Sequence, residues 1–361
     1  MFVAWRDLRF AKGRFALISG VVVLMTLLVG FLSCLTAGLA AQNISGLMSL
    51  GAKQIVFGGD TVTNPLFSTS VLTHDQVTEW TASAGSNATV VPMGVSQLRA
   101  STGGTGTTAA VAVFGQDRVL NGSAVTVPKS ADGVVLSTAA ASALHARVGD
   151  RVTLVRTEFT VEAIAGDLWY SHSPVVMTQL GSWQQLQQAL GGSPNTIATV
   201  LAVSGTADTA AADARVGTAS KDLMPALLSL DSFRSESGSL IMIIGMLFAI
   251  TALVIGAFFT VWTLQRTADI AILRALGAPA SSLRRDALGQ ALVVLGIGVA
   301  IGLALVVGLG LLVSQALPFW LSPATTLLPA LLMMVLGMLG ALVAVRSVTR
   351  TNPLDALGAN R

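Results

Sequence analysis

The chain has 361 residues, 53% of them hydrophobic and 11% charged, with a formal net charge of +3. A soluble domain carries about 25% charged residues, so this composition excludes an ordinary soluble protein and points to an integral membrane protein. One cysteine, Cys34, excludes an internal disulfide and a cysteine metal cluster; set in an apolar run, it reads as a small packing residue.

Residues 1–14, MFVAWRDLRFAKGR, read as an interfacial helix with Phe2, Trp5 and Leu8 on one face and Arg6, Arg9 and Lys12 free to reach headgroups. The following apolar run, 15–41, is about twice the length of a signal-peptide core and is taken as a retained span, TM1. Gly20, Gly30, Ser33, Ala37 and Gly38 give it small residues of the kind that let helices approach closely in lipid.

Residues 42–236 change character. Short runs rich in Val, Ile and Thr alternate with turn residues, which predicts strands at 54–57, 90–93, 109–114, 133–136, 151–155, 159–164, 175–177 and 196–203. Helices are predicted at 137–145, 182–190 and 207–221. Strands and helices without a strict alternation imply an α+β domain. The Gly/Ser/Thr stretch 101–108 reads as a flexible loop.

Residues 239–264 form a second span, TM2. No charged residue occurs from Ala287 to Val345, too long for one crossing at roughly 20 residues each. Pro318, Pro323 and Pro329 divide it into TM3 (287–314) and TM4 (326–345). The predicted fold class is therefore an α-helical membrane protein with four transmembrane helices and a large α+β extracytoplasmic domain inserted between TM1 and TM2. Segments 1–14, 265–286 and 346–361 together hold eleven basic against four acidic residues, whereas 42–236 holds ten against fourteen. Lys and Arg beside spans mark the cytoplasmic side. Both termini and the 265–286 loop are expected in the cytoplasm of a multi-pass plasma-membrane protein, with 42–236 outside.

The segment 265–279, QRTADIAILRALGAP, is a short amphipathic element: Ile270, Leu273 and Leu276 repeat at helical spacing, and Gly277 and Pro279 are stop signals. This segment, with the layout of the whole chain, resembles the MacB/FtsX-type permeases of ABC transporters. Asp269 stands where Glu is commoner in the family. The tail NPLDAL (352–357) is similar to the family's terminal Pro-x-x-Ala-Leu, and VGDRVTLVRTEFTV (148–161) to its Gly-Asp strand pair. The resemblance implies a coupling segment, carried here by Gln265, Arg266, Asp269, Ile270, Leu273, Arg274, Leu276 and Gly277, that docks on a separate ABC-type ATPase. It further implies a homodimer with two ATPase copies, set among membrane lipids and without nucleic acid. The chain has no G-x-x-x-x-G-K-[ST] motif to cradle nucleotide phosphates, so ATP and Mg would be hydrolysed by that partner. No catalytic residue, resident metal or intrinsic cofactor is expected.

Within the family, DLWYSHSPVV (167–176) resembles the haem-exporter permeases of Gram-positive bacteria. It contains the single tyrosine, Tyr170, and one of three histidines, His172. Haem iron takes His, Met, Tyr or Cys ligands and needs an apolar slot, so Tyr170, His172, Met25, Phe31 and Met48 are the expected substrate-binding residues, with Phe31 lining a slot between TM1 and TM2. The competing readings for these residues are a structural hydrogen bond for His172 and adaptable packing for each Met. Glu158 and Glu162 read as a shared solvated face. Asn43, Asn87 and Asn121 sit in glycan-acceptor triplets. The alternative functions are an exporter of peptides, antibiotics or lipids, and an FtsX-like transducer that activates an extracellular cell-wall hydrolase.

Overall fold

The structure is a computed structural model; it describes residues 12–59, 64–85, 87–103, 106–265, 279–314 and 316–349. The expected interfacial helix up to residue 11, the coupling segment 266–278 and the tail from residue 350 lie outside the described residues. Two compact units result: a helical unit from residues before Leu39 and after Gly238, and an outer unit spanning Leu39–Gly238.

The outer unit is an α+β domain. Helix α1 (Lys12–Met48) supplies its last turns to it, followed by β1 (Gln54–Phe57), β2 (Leu72–Thr73), α2 (His74–Ser83), β3 (Ala88–Thr102), β4 (Thr108–Gly115) and β5 (Gly133–Leu136). Then come α3 (Thr138–Leu144), β6 (Arg151–Leu154), β7 (Thr157–Ile164), β8 (Trp169–Tyr170), β9 (Ser173–Thr178) and α4 (Leu180–Ala189). The domain ends with β10 (Thr196–Ala198), β11 (Val200–Gly205), α5 (Thr209–Val216), β12 (Ala219–Asp222) and α6 (Leu223–Leu227). The main sheet runs β12-β1-β11-β3-β4-β9-β5-β7-β6, and β6 returns to pair with the end of β3. The long strand β3 thus serves two sheets: its first half completes an antiparallel sheet with β11, and its second half closes a barrel of β3, β4, β9, β5, β7 and β6. Burial divides instead by face, because alternate residues of β4, β5 and β9 point into different cores. Phe57, Met93, Phe114, Tyr170 and Met177 share one core, while Val113, Leu136, Leu154, Val176 and Trp183 share another.

Three expectations in this domain change. The segment 101–108 is not a free loop at its ends: Ser101 and Thr102 finish β3, Thr108 opens β4, and buried Thr102 donates its hydroxyl to Leu144 O at 3.3 Å. The helix expected at 207–221 stops at Val216. Gly217 takes a left-handed cap (φ 72°), and Asp213 accepts bonds from Thr218 Oγ1, Ser220 N and Ser220 Oγ, which turn the chain into β12. Residues 196–203 divide into β10 and β11 because Thr199 donates its N–H to Met93 O and its hydroxyl to Val95 O.

The helical unit contains four helices long and apolar enough to cross a membrane, over Ala16–Met48, Asp231–Gln265, Arg284–Val313 and Pro323–Ala344. The last three lie in α7 (Asp231–Gln265), α8 (Ala280–Val313) and α9 (Pro323–Thr349). Small residues set their packing. A methyl group at Gly298 or Gly302 of α8 would meet Val22 at 2.7 Å or Thr26 at 2.6 Å on α1, and one at Gly30 of α1 would meet Val306 of α8 at 2.8 Å. Gly20 faces open space. Gly256 of α7 and Gly340 of α9 bring two backbones together, with a methyl at Gly340 3.2 Å from Gly256 Cα. This is the close approach that drives helix association where lipid removes the hydrophobic incentive.

Of the three prolines expected to break the last apolar run, only two lie at the break. Pro318 is in the turn and Pro323 is the first residue of α9, where a missing N–H costs nothing. Pro329 lies inside α9. It cannot donate to the carbonyl four residues back, that of Thr325, and the Cys34 thiol reaches this oxygen instead at 3.8 Å. Cys34 is fully buried, in keeping with a packing role.

Candidate functional site

His172 lies in a two-residue hairpin turn between β8 and β9, where Tyr170 pairs with Ser173. Both turn residues have positive φ, 49° at Ser171 and 59° at His172. Tight hairpin turns of the mirror-image kind require this and normally use Asn or Gly. A Ser-His pair there carries backbone strain of about 1–3 kcal/mol per residue. The neighbouring chain holds it: Ser171 N–H donates to Asn43 O and His172 N–H to Gln42 O, each at 3.0 Å, and the Ser171 and Ser232 hydroxyls meet at 2.9 Å.

The side chains extend this connection. His172 Nε2 lies 2.7 Å from Glu236 Oε1, and Asn43 Nδ2 donates to Glu236 Oε2 at 2.8 Å and to Leu39 O at 3.3 Å. Asn43 Nδ2 also lies 3.1 Å from His172 Nε2. A histidine N–H donated to Glu236 makes this a contact between two donors that share one carboxylate. Asn43 is fully buried, and its Oδ1 has no hydrogen-bond partner. The cluster therefore joins three pieces of the outer unit: the end of α1, the start of α7 and the β8–β9 turn. Sequence reasoning found His172 but missed Glu236. It noted Asn43 only as a glycan acceptor, a role its burial and engaged amide exclude. No sequence signal singled them out, since Asn43 stands beside Gln42 and Ser45, and Glu236 among Asp231, Ser232, Arg234 and Ser235.

Tyr170 is two residues away and differs in kind. It is 5% exposed. Its ring meets Phe114 and Phe67 edge-on, at centroid distances of 5.4 and 6.1 Å. Burial, with the nearby Asp231 carboxylate second, pushes its phenol well above the ordinary value of 10. The phenolate that binds ferric iron is therefore disfavoured at neutral pH. Tyr170 borders a cleft of about 490 Å³ that also touches Phe67, Val95, Gln97, Leu98 and Ser232.

The other expected residues fall elsewhere. Met48 is at the end of α1 and 47% exposed. Met25 and Phe31 belong to the helical unit. The Met25 sulfur accepts the Thr251 hydroxyl of α7 at 3.7 Å. Phe31 packs on Phe319 of the α8–α9 turn at 4.9 Å, so the structure puts its ring against that turn rather than in a slot between the first two spans. Gln265 ends α7 and is exposed; Arg266, Asp269, Ile270, Leu273, Arg274, Leu276 and Gly277 lie outside the described residues. The two glutamates expected to share a solvated face have separate tasks. Glu158 pairs with exposed Arg151 at 2.7 Å, while Glu162 accepts from Lys129 N at 2.7 Å, from Ser130 N at 2.9 Å and from the Ser130 hydroxyl. Those bonds, led by the Ser130 hydroxyl, hold the Glu162 carboxyl below its ordinary range.

Comparison with known proteins gives three findings. Residues 241–353 match the family described as FtsX-like permease C-terminal. A protein of Staphylococcus haemolyticus, provisionally named hemin transport system permease protein HrtB, is 24% identical over 372 residues, covering 99% of each chain. Its namesake in Staphylococcus epidermidis is 24% identical over 371 residues, covering all of both. Among solved structures, the periplasmic region of MacB from Actinobacillus actinomycetemcomitans aligns with 50% of this chain and 94% of its own (TM-score 0.34, 15% identity). The extracellular domain of the ABC-type transporter YknZ from Gram-positive bacteria aligns with 49% and 92% (TM-score 0.32, 11% identity). Four helices long and apolar enough to cross a membrane, an α+β domain between the first and second, and a match to the FtsX-like permease C-terminal family over residues 241–353 make this a multi-pass membrane protein with a layout similar to that of FtsX-like permeases.

Proposed function

We propose that the chain is the permease subunit of an ABC exporter that expels a hydrophobic substrate, haem, from the membrane. The observation that carries the reading is the extent of the permease match. It starts in α7 and takes in the segment 265–279, whose apolar face and arginines suit a groove on a separate ATPase. Two copies of the permease work with two copies of the ATPase, which binds and hydrolyses ATP with Mg. Both termini are cytoplasmic and the outer domain is extracytoplasmic. ATP-driven closure moves the coupling segments, α7 carries the movement, and the paired first and second spans expel the substrate. The exposed apolar side chains of α7, among them Ile241, Met242, Met246 and Leu253, are available to lipid and to the second copy. The full-length similarity to proteins named for hemin transport supports haem as the cargo.

Of the expected ligands, His172 fits best. It is partly exposed (36%) and sits beside a carboxylate. Its Nε2 must leave Glu236 to bind iron, so binding would be weak, as an exporter requires. Tyr170 contributes an apolar wall rather than an oxygen ligand. The test is a haemin titration of the permease–ATPase complex, following the Soret band. A saturable shift near one haem per dimer is expected, lost in His172→Ala and retained in Tyr170→Phe. No shift beyond that in detergent alone overturns haem as cargo and leaves the exporter of peptides, antibiotics or lipids, with the FtsX-like transducer next. The coupling role has its own test. Arg274→Glu should abolish substrate-stimulated ATP hydrolysis while the complex still assembles; unchanged stimulation would remove this segment from the mechanism.

A further inference from the structure

The central strand β3 has a gap in its pairing. On one edge it pairs with β4 from Gly94 to Ser101. On the other, β11 pairs only with residues 88–93 and β6 only with residues 100–102. Among the described residues no strand covers 94–99 on that edge.

The direction of the backbone groups in the gap follows from the ladder. Thr102 N–H donates to Thr107 O at 3.1 Å across the β3–β4 turn. The even-numbered residues of β3 therefore bond to β4, and the odd-numbered ones turn N–H and C=O the other way. Val95 agrees: its N–H donates to Thr199 Oγ1 at 2.9 Å, and its carbonyl accepts from the same hydroxyl at 3.3 Å. One threonine side chain thus stands in for a strand at Val95. Gln97 and Arg99 come next in this register, with the same outward direction and, among the described residues, no such substitute.

The cleft of about 490 Å³ lies along this gap. It is lined by Val95 to Leu98 on the strand side, by Thr196 and Thr199 beside the stand-in, and by Ser171 and Ser232. Its size is within the roughly 300–1,000 Å³ of ligand sites. Asp231 is the one charged side chain among the lining residues. We propose that this cleft binds an extended, neutral-to-basic peptide segment of a partner protein, which pairs by strand addition with the N–H and C=O groups of Gln97 and Arg99. Backbone pairing supplies the affinity. The small hydroxyl-bearing walls restrict the side chains, and Asp231, which shares its carboxylate with Arg234 at 3.5 Å, favours a lysine or arginine over an acid. The cleft shares Tyr170 with the wall proposed for the cargo, but the strand pairing at Gln97 and Arg99 does not involve His172.

The experiment uses the full-length protein in lipid nanodiscs with the peptide acetyl-Lys-Thr-Val-Thr-Val-amide at millimolar concentration. Hydrogen exchange at the Gln97 and Arg99 amides should slow at least tenfold on adding the peptide. An analogue N-methylated at alternate residues should have no effect. Gln97→Pro deletes one outward donor without removing a rung to β4, so it should weaken binding at least tenfold; Gln97→Ala keeps the donor and should stay within threefold of wild type. Should the proline variant fail to fold, the N-methylated analogue alone decides between backbone and side-chain recognition. Exchange unchanged by the peptide, or equal effects of both peptides, overturns the proposal. Protection that grows with protein concentration in the absence of peptide overturns it in favour of a second copy of this chain.

Discussion

Glycine makes room in both units, but for different neighbours. In the outer domain Gly94 and Gly115 lie on adjacent strands beneath the same indole, that of Trp183. The ring is 2% exposed and donates its N–H to Ser96 Oγ at 2.7 Å. In the helical unit the glycines of α8 admit α1, and Gly256 and Gly340 admit each other's backbone. Water rewards the outer domain for hiding a large apolar ring. Lipid offers no such reward, so the helices gain from close backbone contact and internal hydrogen bonds instead. The same residue type therefore marks an aromatic socket on one side of the chain and a helix crossing on the other.

Removing the ring should produce the largest effect. Trp183→Ala should cost about 3–5 kcal/mol of outer-domain stability, read by denaturant unfolding of the full chain; a cost under about 1 kcal/mol would deny the socket its role. Widening a helix crossing comes next. Gly302→Leu should cost about 1–3 kcal/mol by unfolding in mixed micelles, whereas Gly308→Leu, at a position with nothing within 4 Å, should be near neutral. Equal effects at the two glycines would erase the contrast. Cutting the polar cluster should matter less. Asn43→Ala removes donors to Leu39 O and Glu236 but also an unsatisfied buried oxygen, so about 1–2 kcal/mol is expected. His172→Ala, which breaks a partly exposed pair, should cost no more than about 1 kcal/mol.

The smallest expected effect is that of pH on Glu162. Its folded pKa lies below the ordinary 4.5, so its stabilising contribution is complete above that value and is lost as pH falls through the folded pKa. Ser130→Ala removes the largest cause of the shift and should flatten the acid side of the outer domain's stability profile below pH 4.5. An unchanged profile would show that the Ser130 bond does not set this carboxyl.

The four spans and the α+β character of the middle region were legible because each depends on local composition: uncharged apolar runs for the helices, and β-branched runs between turn residues for the strands. Asp213 shows where that reading stops. Residues 207–221 read as one helix, yet Gly217 caps it and the Asp213 carboxylate captures Thr218 and Ser220 and turns the chain into a strand. Pro329 shows the converse, a helix breaker tolerated because a thiol from another helix reaches the carbonyl it abandons.

The expected ligands divide in the same way. His172 and Tyr170 are two residues apart in one motif, but the turn between β8 and β9 exposes one and sends the other into an aromatic core. Glu236 and Asn43, 193 residues apart, meet only because a strand turn docks between two helix ends. The chemistry of single residues and short runs therefore determined that this chain has four helices long and apolar enough to cross a membrane, carries a mixed domain and lacks the G-x-x-x-x-G-K-[ST] motif. Tertiary structure alone decided which polar groups share a carboxylate, that the single tyrosine is buried and which edge of β3 is left uncovered. Each of these depends on pairings distant in sequence, which no local pattern encodes.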